Sequence, residues 1–450
     1  MPPLKSSLNS YIPILILITL LPITALFDQP TIGLIIHGAA IYLLSRKSLR
    51  LTLCIAFPIY SLWFASLSNL MIEKGGYILE QFRYGELNGA TSFISFYSLI
   101  FITTAHLILS TTLKSRGHSE TNIKSSYGTL KITILCLITV YILIMLTYGT
   151  ALSNGQDRFS YWSKLPDTLA QIVKNMRALH GPLTGIAGYI FTYLSRKEKK
   201  HLSILLILLH SILFLLGDKL TPFFNASFFF ITGYAIAAIH NKENIKINIS
   251  LILKIIFASL SLIGILAAGF ILQQNIRPSI LLIAFEQRMI LQGHVWYGIF
   301  DIVREKGSIL ATSKLLNPNS LDNPSGLDAL SYMVSEENFV YDRIKRGITF
   351  TMGGPAAALA IGGVYVGSTI YAILAIPYAL AIYYTSLKLK NGQFFRSLTA
   401  LTFLISLNSI VLMGNWYSIY NSASLIFFAI LLADMLIKGK NIKPFLRNSI

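Results

Sequence analysis

The chain has 450 residues, of which 54% are hydrophobic and only 12% charged, and its formal net charge is +18. A soluble domain carries about 25% charged residues, so a chain this apolar could not cover its own surface, and a water-soluble globular fold is excluded. The excess of Lys and Arg would otherwise suggest nucleic acid, but its distribution along the chain accounts for it without such a partner.

The apolar residues come in blocks near the length that crosses about 30 Å of hydrocarbon at 1.5 Å per residue. They predict an all-α polytopic membrane protein forming a single domain over 1–450, with twelve spans at about 11–27, 31–45, 51–71, 91–111, 132–152, 181–195, 202–217, 223–240, 251–272, 365–386, 397–414 and 419–437. Helices are required because backbone polar groups inside lipid must be satisfied within the segment, and the alternating pattern of a membrane β-barrel is absent. The first block is followed at once by the second with no small-residue cleavage site, so it is predicted to be a span and not a cleavable leader. Cys54 and Cys136 both lie in apolar blocks, which gives neither a disulfide framework nor a metal-ligand spacing. No metal and no cofactor is expected.

Charge sets the expected orientation. With both termini cytoplasmic, the inward pieces hold 21 of the 37 basic residues and three acids, Glu120, Glu198 and Glu243, while the outward pieces hold 15 of each sign. The enrichment of cytoplasmic loops in Lys and Arg therefore explains the whole net charge. Three outward loops are long, at about 72–90, 153–180 and 273–364, and the last carries eight of the 19 acids. A loop of that length in a compact protein is usually functional. No internal repeat relates the two halves, which argues against a transporter built from duplicated halves.

Candidate chemistry concentrates in these loops. Taken as one helix, Glu286–Lys306 would put His294 and Asp301, seven residues apart, on one face, with Arg288 about a third of a turn away and Asp301 able to pair with Arg304; a break at Gly293 or Gly298 would change these angles. Further on, Glu336 and Glu337 precede Asp342-Arg343-Ile344-Lys345-Arg346, three cations in four residues against the inward bias. The glycines of 353–367 follow, suited to close helix packing or to backbone approach to a ligand. The smaller loop offers Arg158, Arg177, Tyr161 and Trp162, and a short outward turn offers Gly217-Asp218-Lys219. Aromatic rings beside polar groups suit sugar faces as well as the membrane interface. Arg and Lys hold pyrophosphate, Arg through its bidentate fork, and no Asp-rich magnesium motif or nucleotide-binding loop accompanies them.

The layout of many spans with one smaller and one large outward loop resembles the Wzy-type O-antigen polymerases. So do Arg288 ten residues before Gly298, Arg177 eight before Gly185 and eleven before Gly188, the Gly217-Asp218-Lys219 turn and the glycine-rich stretch 353–367. The resemblance implies a GT-C-like glycosyltransferase of the bacterial inner membrane that joins undecaprenyl-pyrophosphate-linked oligosaccharide repeat units at the periplasmic face, among membrane lipids and with a chain-length regulator as possible partner. It implies that Arg288, Lys219, Arg177, Arg158, Arg343 and Arg346 bind pyrophosphate or substrate. It also implies a general base, for which Glu286, His294, Glu336 and Glu337 are the candidates. An O-antigen ligase shares the large loop and an arginine-rich site. A lipid-linked oligosaccharide flippase shares the span number but would show similar halves and short outer loops.

Overall fold

The computed structural model describes residues 9–113, 123–151, 161–218, 221–242, 281–318, 320, 322–345 and 352–437. Among them the protein is almost entirely helical. Among the described residues six helices are long and apolar enough to cross a membrane, Ala90–Thr112, Ser125–Tyr148, Arg196–Gly217, Phe223–His240, Gly354–Lys390 and Phe394–Met413, and the bent pair Pro30–Cys54 and Ala56–Glu73 adds a seventh if it forms one span. The expected span 251–272 lies outside the described residues.

In chain order, α1 is Ile12–Leu26, α2 is Pro30–Cys54 and α3 is Ala56–Glu73. The axes of α2 and α3 differ by 113°, so the chain turns back on itself. The basic stretch expected as a loop at 46–50 is helical, with a non-helical residue at Ser48. Two short strands follow, β1 (Tyr77–Ile78) and β2 (Arg83–Tyr84), then α4 (Ala90–Thr112) and α5 (Ile123–Tyr148). Next come α6 (Asp167–Ala178), α7 (His180–Phe191), α8 (Arg196–Leu213) and α9 (Thr221–His240). At 12 residues, α7 extends only about 18 Å, short of the hydrocarbon thickness expected for a full crossing. The second half holds α10 (Leu281–Ile290), α11 (His294–Lys306), α12 (Ser313–Leu316), α13 (Gly326–Val334) and α14 (Glu337–Lys345). It closes with α15 (Gly354–Lys390), α16 (Phe394–Asn408) and α17 (Ser422–Ile437).

Hydrogen bonds sort the helix termini into two ends of one bundle. At the first end, Tyr11 meets His106 at 2.8 Å, Arg50 donates to the Ala238 carbonyl at 3.3 Å, Ser126 to that of Gly392 at 3.3 Å, and His240 meets Ser386 at 2.9 Å. At the second end, Thr24 meets Ser92 at 2.8 Å, Tyr141 meets His180 at 2.8 Å, and Asn421 donates to Ser406 at 2.9 Å. Within α1–α5, α7–α9 and α15–α17 successive helices thus run in alternate directions, and Tyr11 and Asp434, near the two termini of the described chain, lie at the same end. That end carries the Lys- and Arg-rich pieces. It also holds a buried ionic knot in which Asp434 accepts from Lys388, from Arg396 at 2.7 Å and from the Tyr384 hydroxyl at 2.8 Å.

The long α15 is broken at Gly363, whose φ of 63° and ψ of −166° no helical residue adopts. The chain folds sharply there, and a Cβ on Gly367 would lie 2.6 Å from the Ala358 carbonyl oxygen. A Cβ on Gly354 would lie 1.7 Å from the Val411 oxygen. These glycines therefore serve helix-to-helix packing, the role small residues fill where backbones approach closely in membranes.

Candidate functional site at the loop-bearing end

The second end is where α10–α14 and the β1–β2 hairpin collect. Helix α10 starts apolar, with Leu282, Ile283 and Phe285 at 76%, 56% and 53% exposed, then carries Glu286 and Arg288, both exposed, and ends in buried Met289 and Ile290. It stops at a tight turn over Leu291–Gly293. The Ser68 hydroxyl of α3 lies 2.6 Å from the Met289 carbonyl oxygen and 3.0 Å from that of Ile290, so its single O–H is shared between two carbonyls that also accept from the backbone N–H groups of Gln292 and Gly293. A side chain at residue 293 would meet the Ser68 hydroxyl at 2.7 Å, so glycine lets the turn seat on α3. The stretch 286–306 is therefore two helices broken at Gly293, so the third of a turn between Arg288 and His294 no longer holds, while His294 and Asp301 remain seven residues apart on one helix.

Helix α11 is largely buried from His294 to Phe300. Trp296 donates its indole N–H to the Ala90 carbonyl at 2.9 Å, which fixes the helix on α4. Gly298 does not break α11. It makes room for Val334 of α13 and for Gln81, since a Cβ there would lie 2.7 Å from the Val334 side chain and 2.9 Å from the Gln81 amide nitrogen.

The hairpin from the first outward loop straps across this helix. Gln81 donates to the His294 carbonyl at 2.9 Å and accepts from Arg83 Nε at 2.9 Å. Arg83 pairs with Asp301 at 2.6 Å and lies over the Tyr297 ring. The Tyr297 hydroxyl accepts from the backbone N–H of Glu86 at 2.8 Å and of Leu87 at 2.6 Å. Burial raises the pKa of that phenol, so the oxygen remains a neutral acceptor across the physiological range. Gln287 of α10 donates to the Tyr77 carbonyl at 3.1 Å, and a Cβ on Gly85 would lie 2.0 Å from the Ile72 oxygen. Residues over two hundred positions apart are thereby locked together. Asp301 takes Arg83 as its partner in place of the Arg304 expected from helix spacing.

Of the candidate bases, His294 is wholly buried with Nδ1 at 2.9 Å from the Leu291 carbonyl. That nitrogen must donate to the oxygen, and the ring sits inside the fold, away from any open face. Glu286, Glu336 and Glu337 are exposed. Glu336 and Glu337 stand at the start of α14, after α13, which rests on α11. Arg177 lies on a different part of the same end, over the Trp162 ring at 4.9 Å, in the last turn of α6. Arg343 belongs to α14, its side chain outside the described residues, and Arg158, Lys219 and Arg346 lie outside them altogether. Among the described residues no three His, Cys, Asp or Glu side chains cluster as metal ligands.

Arg83, Gln81 and Tyr297 were not signalled by local pattern. No signal in the sequence sets them apart: Arg83 is one of 15 basic residues on the outward pieces.

The model of one family, described as a family of unknown function (DUF6418), matches residues 321–428. That stretch covers α13 to α16 and part of α17, including Glu336, Glu337 and Arg343, and leaves out Arg288 and His294. No curated protein and no solved structure matches the chain.

Proposed function

We propose that the protein is a glycosyltransferase of the bacterial inner membrane that polymerises undecaprenyl-pyrophosphate-linked oligosaccharide repeat units at the periplasmic face, as the O-antigen polymerases it resembles do. In this reading all twelve apolar blocks cross or enter the membrane. The basic end of the bundle, with both termini, faces the cytoplasm, following the distribution of Lys and Arg. The loop-bearing end faces the periplasm.

The observation that carries the proposal is the position of Arg288. It stands exposed just beyond an exposed apolar stretch, Leu282–Phe285, on a short helix buttressed by a docked loop. Apolar surface followed by a guanidinium is the arrangement a polyprenyl pyrophosphate requires. The chain lies against the apolar part, and the fork binds phosphate oxygens.

The reaction needs little else. The terminal hydroxyl of one lipid-linked repeat unit attacks the anomeric carbon that joins the other glycan to its pyrophosphate. The new glycosidic C–O bond forms as the C–O bond to pyrophosphate breaks, and undecaprenyl pyrophosphate leaves with the bonding pair. Arg288 stabilises the charge that builds on the departing diphosphate. The hydroxyl proton passes to a carboxylate, for which Glu286, Glu336 and Glu337, all exposed, are the candidates. His294, buried beneath the hairpin, holds the turn between α10 and α11. Arg177 over Trp162 offers a second cation beside an aromatic face for the other lipid-linked substrate.

The test is a lipopolysaccharide gel from a strain lacking the protein, beside a complemented strain. Lipid A-core carrying a single repeat unit is the expected deletion phenotype. Bare core would instead indicate a ligase or a flippase, and accumulation of lipid-linked polymer would mark the ligase.

A further inference from the structure

The β1–β2 hairpin has two faces. Tyr77 pairs with Tyr84 and Ile78 with Arg83, and directly opposed residues point to the same side. Ile78 and Arg83 form the face that docks, the first wholly buried and the second tied to Asp301. Tyr77 and Tyr84 form the other face, their ring centroids 4.9 Å apart and Tyr84 60% exposed.

Beside them Phe82, 58% exposed, holds φ 50° and ψ 36°. That is the left-handed region, where a bulky side chain is strained and glycine is not. The turn geometry alone would favour glycine at residue 82. An aromatic ring held there against local preference, in the open, is the kind of strain found at ligand clamps.

The neighbourhood supplies the ligand's chemistry. Gln287 binds the Tyr77 carbonyl, so the hairpin meets α10 one residue before Arg288, with the exposed apolar residues Leu282, Ile283 and Phe285 earlier on the same helix. Lipid-facing carbons, then a guanidinium, then a pair of rings is the order of groups along a polyprenyl-pyrophosphate-linked sugar.

We infer that Tyr77, Tyr84 and Phe82 form the seat for the sugar that directly follows the pyrophosphate, an inference that rests on the proposed function. The rings stack on the C–H face of the sugar, and the tyrosine hydroxyls take its hydroxyl groups. The hairpin thus reads the first sugar while Arg288 holds the phosphates.

The test is a titration of full-length protein in nanodiscs with two lipids, undecaprenyl pyrophosphate and the same lipid bearing one oligosaccharide repeat unit. Wild type is expected to bind the glycan-bearing lipid more tightly. Tyr84→Ala and Phe82→Gly are each expected to weaken binding of the glycan-bearing lipid by about tenfold and to leave undecaprenyl pyrophosphate unchanged, while Tyr84→Phe retains most of the affinity. Phe82→Gly relieves backbone strain, so its melting temperature is expected to match or exceed that of wild type. Variants that bind both lipids as wild type does would overturn the inference and leave the proposed function standing. So would equal weakening of both lipids, or loss of Phe82→Gly from the membrane, either of which would make the rings an anchor or a structural support. Failure of wild type to bind either lipid would sink the proposed function itself.

Discussion

Tyr297→Phe isolates the latch that holds the hairpin to α11. The change removes one oxygen from a residue that is 1% exposed and leaves the ring in place, so no cavity follows. Two backbone donors lose their acceptor, the N–H groups of Glu86 and Leu87. Glu86 is exposed, so water replaces the lost bond there, whereas Leu87 is half-buried and its N–H is left without a good partner. An unsatisfied buried donor costs about 1–3 kcal/mol, and partial access to water puts this one near about 1.5 kcal/mol. The penalty falls on local opening of the 76–88 segment and leaves the helical bundle intact. Amide exchange through that opening should therefore speed up about tenfold, since each 1.4 kcal/mol is a factor of about ten. Hydrogen exchange read by mass spectrometry on the purified protein in nanodiscs measures it directly. Unchanged exchange at 76–88 would refute the latch, and so would an equal increase throughout α4 and α11.

Other perturbations test other parts of the account. Arg83→Ala breaks an ion pair that is partly exposed on both sides, so it should loosen the same segment by only about 0.2–1 kcal/mol, less than Tyr297→Phe in the same exchange experiment. Gly354→Ala would bring a Cβ to 1.7 Å from the Val411 carbonyl oxygen; overpacking costs about 1–3 kcal/mol, and more where backbone must move as it must here, and the variant should be depleted from the membrane fraction on an immunoblot. Asp434→Asn removes the counter-charge of Lys388, whose side chain is 5% exposed. A buried pair broken on one side loses about 3–5 kcal/mol, seen as a lower melting temperature in detergent. Arg288→Ala should abolish long chains with normal insertion; wild-type ladders from a well-expressed variant would end its assigned role.

What was legible in the sequence follows from the range of the interactions involved. Apolar blocks and the placement of Lys and Arg report each residue's own transfer preference, so the helical membrane class and the segregation of charge to one end can be read locally. Details set by contact could not. The 181–195 block resolves into the short helix α7 because Tyr193 and Leu194 leave the helix ahead of the Ser195–Glu198 capping box that starts α8. The block at 365–386 begins just past the break at Gly363, and the residues before it form a separate helical stretch whose glycines 353 and 354 pack against Met413 and Val411 instead of forming a loop. Strands two residues long carry no periodicity at all, and β1–β2 exists because Gln81, Arg83 and Glu86 find partners on α11. The same long-range docking gave Asp301 a partner 218 positions away, where helix spacing offered Arg304. His294 had the side chain best suited by pKa to proton transfer, but burial, invisible in a single sequence, puts it inside the fold. The exposed pair Glu286 and Arg288 did stand out, because both are charges at the end of an apolar run.

The most direct test of the central claim is reconstitution. Purified protein in liposomes would be supplied with a single undecaprenyl-pyrophosphate-linked repeat unit, and glycan length and released undecaprenyl pyrophosphate would be measured together. The account predicts lipid-linked glycans of increasing length, one undecaprenyl pyrophosphate freed for each bond made, and neither product with Arg288→Ala. Repeat units that stay single under these conditions, with no undecaprenyl pyrophosphate released by well-folded wild-type protein, would contradict it.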